Sequence, residues 1–199
     1  MQINFMESQT KTNLMRAFAG ECQARQRYYM AAMNAKQQKL VVLERMFKFT
    51  AEQEEQHAII FFQQLKEAAG QNIDITAGYP ADVFNEMKQL LDSAAHGEQQ
   101  EADDVYPEFA QIASQEGFPD IAQKFNMIAK IESSHLERFR YYGDLMRDNK
   151  LFRSDSTEEV WVCLNCGHIH KGSEPPQNCP VCGVAQGYFI REKEAPFTR

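Results

Sequence analysis

Two segments of this chain share one spacing: "AEQEEQH" at 51–57 and "AKIESSH" at 129–135 both read A-x-x-E-x-x-H. Each sits in a long run of helix formers. Glu54 and His57, and likewise Glu132 and His135, therefore stand three apart on one side of a helix. Phe47, Phe49, Ile59, Ile60 and Phe61 flank the first segment, and the expectation is a helix that buries phenylalanine and isoleucine. Acidic groups on a buried face need a strong counter-charge, because an unpaired buried carboxylate is costly. A solvated stripe is the competing explanation.

The repetition extends further. "AGECQARQRYY" (19–29) has a weaker echo in "AHGEQQEADDVY" (95–106), and Glu21 precedes Glu98 by 77 positions while Glu54 precedes Glu132 by 78. A helix pair has been used twice. Residues 8 to about 148 are interrupted only softly near 35–39, by "AGQNIDITAGYPAD" (69–82), and by "EGFPD" (116–120), where Gly follows one helix and Pro opens the next. Four helices of roughly 25–32 residues are expected. Glu21, Glu54, Glu98, Glu101 and Glu132 then lie roughly 12–17 residues into their helices, about 18–25 Å along them, in one layer. Scattered surface charges have no reason to align in this way.

One Glu from each of two helices with Glu-x-x-His from the other two is the ligand pattern of ferritin-like di-iron bundles. Carboxylate oxygens with imidazole nitrogens suit iron or manganese, and two divalent ions nearly balance five inward carboxylates. Tyr28 follows Glu21 by two turns and Tyr106 follows Glu101 by five residues. Either hydroxyl can hydrogen-bond a liganding carboxylate, and plain core tyrosines fit the spacing equally well. His96 is expected at the surface and Cys22 as a small, partly buried hydrophobe.

"LFRSDSTEEV" (151–160) breaks the helical pattern and reads as a linker, so the expected division is 1–150 and 151–199. Beyond it, "CLNC" (163–166) and "CPVC" (179–182) are separated by twelve residues, with Gly after each pair. Cys163, Cys166, Cys179 and Cys182 thus form a tetrahedral thiolate site rather than disulfides. Such a site accepts zinc or iron, and zinc is the commoner structural choice. His168 and His170 are expected to be spectators. A region of about 45 residues needs such a staple, since its core alone is too small.

The net charge is −7, and Arg153–Arg199 holds five basic against six acidic residues. The clustered basic surface of a nucleic-acid binder is missing, which disfavours a zinc-ribbon binding module. No apolar run approaches the roughly 18 residues of a membrane span, and "MQINFMESQT" lacks a signal's basic and apolar regions. The expectation is a cytoplasmic protein without membrane or nucleic-acid partners.

Together, "GECQARQRYYMAA", "AEQEEQHA", "GEQQEADDVYPEFA", "KIESSHLERF" and the paired cysteine motifs resemble the rubrerythrin family over nearly the whole chain. The resemblance implies a mainly α fold: a ferritin-like four-helix bundle followed by a small rubredoxin-like domain with a four-cysteine metal site. It implies two irons held by Glu21, Glu54, Glu98, Glu101, Glu132 and His135, with His57 exchanging with Glu101 as the oxidation state changes. It also implies a third iron, not zinc, on the four cysteines. Glu54, His57, Glu101, Tyr28 and Tyr106 become the expected catalytic group. The implied activity is reduction of hydrogen peroxide to water, with electrons from a reductase or rubredoxin-type donor relayed through the cysteine iron. A head-to-tail assembly, at least a dimer, follows from the same resemblance. Iron oxidation for storage is the alternative, though it gives the attached cysteine site no role.

Overall fold

The computed structural model describes residues 3–196. Ser8 opens α1 (Gln9–Gln37) by accepting the Lys11 backbone N–H. Glu116 completes that cap from a distant turn, its carboxylate accepting the Gln9 and Thr10 N–H groups at 2.9 and 2.8 Å. After α2 (Val41–Gln63) a long connection without strands leads to α3 (Met87–Gln100). A π-helical turn (Glu101–Val105) joins α3 to α4 (Tyr106–Gln115), and α5 (Pro119–Arg147) closes the bundle.

These four rods match the expected layout, with two differences. At 23 residues α2 falls short of the expected length, and the third rod is not a uniform α-helix. Pro107 has no N–H for the Asp103 carbonyl and its ring crowds that group, so the backbone widens just before it.

Three helices end alike. Lys39, Gly117 and Asn149 take left-handed φ values of 60°, 88° and 54°, and the next N–H returns to a carbonyl five residues back, at 2.9, 2.8 and 2.7 Å.

Apolar side chains fill the bundle in two blocks. One contains Leu43, Phe47, Leu91, Phe139 and Tyr142, and the other Leu14, Phe61, Phe109 and Phe125. Phe49 and Ile59, expected on the buried face, are instead 54% and 42% exposed. Each lies two residues, about 200°, round the helix from an inward side chain, Phe47 or His57.

The C-terminal region forms an antiparallel sheet in the order β2-β1-β3, with β1 Val160–Cys163, β2 Ile169–Lys171 and β3 Phe189–Arg191. Trp161 and Phe189 are fully buried in its small core. This region is docked onto the bundle. Ile190 and Leu151 join the first apolar block, and a Cβ on Gly187 would come within 1.8 Å of the Lys39 carbonyl oxygen. Arg191, 5% exposed, donates to the Lys150 and Arg153 carbonyls at 2.6 and 3.0 Å and lies over the Trp161 ring. The segment expected as a linker is therefore anchored at its start. Among the described residues, no helix is long and apolar enough to cross a membrane.

Candidate metal centres

The gap between the two apolar blocks holds the charged layer. Glu21, Glu54, Glu98 and Glu132 lie 11 to 13 residues from the start of α1, α2, α3 and α5, about 17–20 Å along each. All four are at most 1% exposed, as is His135, and His57 is 3% exposed.

Two donor sets result. His57 Nδ1 lies 2.9 Å from Glu132 Oε1, 3.1 Å from Glu54 Oε2 and 3.7 Å from Glu21 Oε2. His135 Nδ1 lies 2.8 Å from Glu132 Oε2, 3.0 Å from Glu54 Oε1 and 3.6 Å from Glu98 Oε2. Glu54 and Glu132 thus turn one oxygen to each histidine, while Glu21 and Glu98 serve one set each. Two ions placed in these sets would share two carboxylates. The atoms available to them are orphaned: Glu21 Oε2, Glu54 Oε1, Glu98 Oε2, both Glu132 oxygens and His135 Nδ1 make no well-formed hydrogen bond. Four carboxylates also balance two divalent cations, so the residues fit a di-iron pair.

The outer oxygens are held by the tyrosines. Tyr28 Oη donates to Glu98 Oε1 at 2.5 Å, and Tyr106 Oη donates to Glu21 Oε1. Burial, then the neighbouring carboxylates, raises both phenols well above their usual range, which keeps them donors. Tyr28 packs on Phe139, and Tyr106 on Phe61 and Phe125, so aromatic walls close the layer from both ends.

Without metal the charges redistribute. Burial and the Glu132 charge push Glu21 up to about 8. Burial and Glu54 raise Glu98 as well. Burial acts upward on Glu54 too, but the His135 and His57 rings close against its oxygens outweigh it and draw the carboxyl down to about 2. Burial disfavours a charged His135, yet Glu132 and Glu54 raise it to about 11. Metal uptake must therefore expel protons.

Glu101, expected in the cluster, stands outside both donor sets. It opens the π turn and is half-buried, lying against Gly20 in a cleft also lined by Arg16, Tyr79 and Tyr106. Cys22, expected partly buried, is exposed, because it sits about 100° round α1 from the inward Glu21. His96 is exposed.

The four cysteines form a second, smaller site. Cys163 and Cys182 Sγ are 3.8 Å apart, and Cys166 and Cys179 Sγ are 3.7 Å apart. A regular tetrahedron with metal–sulfur bonds of about 2.3 Å has edges of about 3.8 Å. Gly167 and Gly183 take φ near +75°, and their N–H groups return to the Cys163 and Cys179 carbonyls at 2.8 and 2.9 Å. A side chain at either turn would be strained. Hydrogen bonds from Asn165 and the Val184 N–H lower the Cys182 thiol to about 6. The set suits one rubredoxin-like iron, and neither His168 nor His170 belongs to it.

Sequence reasoning missed Gln53, whose Oε1 faces the outer nitrogen of His135, Arg138, which donates to that same oxygen, and Arg191, which fastens the two regions together. Arg138 stands three after His135 and so shares its helix face, which is the one signal that pointed to it.

Comparison with known proteins agrees with this architecture. The rubrerythrin family model matches residues 12–142, and that of the rubrerythrin rubredoxin-like domain matches residues 161–190. A rubrerythrin of Clostridium perfringens is 40% identical over 188 residues, covering 94% of this chain and 96% of that one. A rubrerythrin of Nitratidesulfovibrio vulgaris is 36% identical over 182 residues, covering 92% and 93%. The solved structure of fully reduced, all-ferrous nigerythrin superposes with a TM-score of 0.62 at 28% identity, covering 93% of this chain and 90% of that one. A ferritin-like bundle with a carboxylate–histidine centre, followed by a rubredoxin-like four-cysteine domain, places the chain in the rubrerythrin family.

Proposed function

We propose that this protein is an oxidoreductase that reduces hydrogen peroxide to two waters, taking up two electrons and two protons. The observation that carries the proposal is the shared use of Glu54 and Glu132 by two buried histidine-centred donor sets. An iron pair held there would supply two one-electron reductants side by side, matching the two electrons that cleavage of an O–O bond requires.

The chain's own groups fit that task. Glu54 and Glu132 would hold the pair together with Glu21 and Glu98 beside it, and Tyr106 and Tyr28 fix Glu21 and Glu98 by hydrogen bonds. The aromatic walls exclude bulk water. We assign Glu101, waiting at the cleft, as the group that exchanges with His57 when the oxidation state changes.

An iron held by Cys163, Cys166, Cys179 and Cys182 would supply electrons one at a time, and its four thiolates would need little rearrangement. Within one chain that centre is docked at the end of the bundle marked by Lys39 and Leu151, whereas Glu54 lies 13 residues, about 20 Å, into α2. A second copy arranged head-to-tail would shorten the path, so the working unit is at least a dimer. The donor to it is a reductase or rubredoxin-type protein in the cytoplasm. We take residues 1–150 as the di-iron domain and 151–199 as linker and electron-transfer domain.

The test is reoxidation of fully reduced protein by peroxide and, separately, by dioxygen. Faster return of the oxidised-state colour with peroxide is expected, together with loss of steady turnover in Cys163→Ser. Faster reaction with dioxygen and no effect of Cys163→Ser would favour iron oxidation for storage.

A further inference from the structure

Four polar groups form a one-way chain into the metal layer. Thr50 Oγ1 donates to the Met46 carbonyl at 3.1 Å, leaving a lone pair that accepts Arg138 Nη1 at 2.9 Å. Arg138 Nη1 also donates to Gln53 Oε1 at 2.9 Å, and that same oxygen lies 3.2 Å from His135 Nε2. The guanidinium lies over the Phe49 ring, 5.1 Å from its centre, which gives that exposed aromatic a purpose.

The directions in this chain are forced. A guanidinium only donates, so Gln53 must turn its oxygen, not its amide nitrogen, toward Arg138. An oxygen only accepts, so the ring nitrogen facing it must carry hydrogen. The metal-free ring carries a second proton on Nδ1; once metal uptake expels it, the neutral imidazole keeps its one N–H on Nε2 and Nδ1 presents a bare lone pair. Nδ1 is the atom that faces Glu54, Glu98 and Glu132. Rotating the Gln53 amide would set its NH2 against both Arg138 and a protonated Nε2, so the alternative orientation is excluded.

We propose that Arg138, acting through Gln53, is a positioning residue that holds His135 with hydrogen on Nε2 and its Nδ1 lone pair aimed at a metal. The inference rests on the di-metal reading above. No comparable chain reaches the outer nitrogen of His57 among the described residues. The outer nitrogen of His135 is thus fastened from outside the metal layer.

Cobalt(II) titration of the metal-free full chain tests this, with two readouts. One is the affinity of the bundle sites, and the other is the paramagnetically shifted, solvent-exchangeable ring N–H signal of the cobalt-loaded protein. Wild type should bind two cobalt ions in the bundle and show one slowly exchanging ring N–H. Gln53→Met, which keeps the length but removes the acceptor, should weaken bundle binding by about 10- to 100-fold and make that N–H exchange rapidly. Arg138→Met should do the same to a smaller degree, and Arg138→Lys, which can still donate, should recover most of the loss. The thiolate–cobalt absorption of the cysteine site reports on folding and should stay constant. Unchanged affinity and exchange in Gln53→Met would overturn the inference. Wild type binding no cobalt in the bundle would instead overturn the di-metal reading beneath it.

Discussion

The two metal centres solve opposite problems. The carboxylate–histidine site draws its ligands from four helices, buries every one of them, and leaves four acidic groups that bound metal or bound protons must balance. The four-cysteine site comes from two short turns nineteen positions apart at most, with Cys163 and Cys179 buried but Cys166 exposed. In the first, the fold builds the site. In the second, the metal substitutes for much of a core that about 45 residues cannot form. Metal loss should therefore act differently on the two, and the following experiments sharpen or break that contrast.

The largest effect belongs to single ligands. Glu54→Ala or His135→Ala should abolish paired metal binding and lower peroxide reduction by roughly 100-fold or more, leaving the cysteine iron and its red colour intact. Cys163→Ser should do the reverse, keeping two bundle irons while stopping turnover from an external reductant. Metal analysis and visible spectra of the two variants check the separation. Loss of both centres in either variant would mean that the regions are not independent.

Chelation comes next. Removing the bundle metals leaves buried acids compensated only by protons, at a cost of several kcal/mol, so the melting temperature should fall by roughly 10 °C or more. Equal melting curves for loaded and stripped protein would contradict an inward cluster.

A smaller effect probes the seam between the regions. Gly187→Ala sets a methyl group against the Lys39 carbonyl oxygen, and overpacking of this kind costs about 1–3 kcal/mol. Proteolysis near residues 154–158 should accelerate while the bundle keeps its metals. The smallest is Glu116→Gln at the α1 cap, worth about 1 kcal/mol. Burial acts upward on this carboxyl, but hydrogen bonds from Thr10 and Gln9 outweigh it and lower the folded pKa. The contribution is present above the unfolded pKa and disappears as pH falls through the folded one. Denaturant titration at neutral and acid pH should show the variant's deficit shrinking in acid.

How much could be read from the sequence differs between the centres for the same reason. Cys-x-x-Cys pairs are local, so their spacing alone specifies a tetrahedron. The carboxylate site is dispersed, and only the duplicated A-x-x-E-x-x-H and the equal heights of Glu21, Glu54, Glu98 and Glu132 exposed it. Glu101 obeyed the same height argument and yet stands outside the donor sets: three residues beyond Glu98 it is about 60° round the rod and lies against Gly20, an offset that residue heights alone do not capture. Phe49 looked like core and is instead the ring beneath Arg138. Lys39 gave no helix-stop signal, since its left-handed turn lies at the seam with Gly187, about 150 residues away in sequence.

Counting iron in anaerobically prepared protein, beside Glu54→Ala prepared identically, tests the shared-carboxylate centre most directly. Three irons per chain are expected in the wild type, two in the bundle and one on the cysteines, falling to one in the variant. One iron per chain in both proteins would show that the buried acids hold no metal pair.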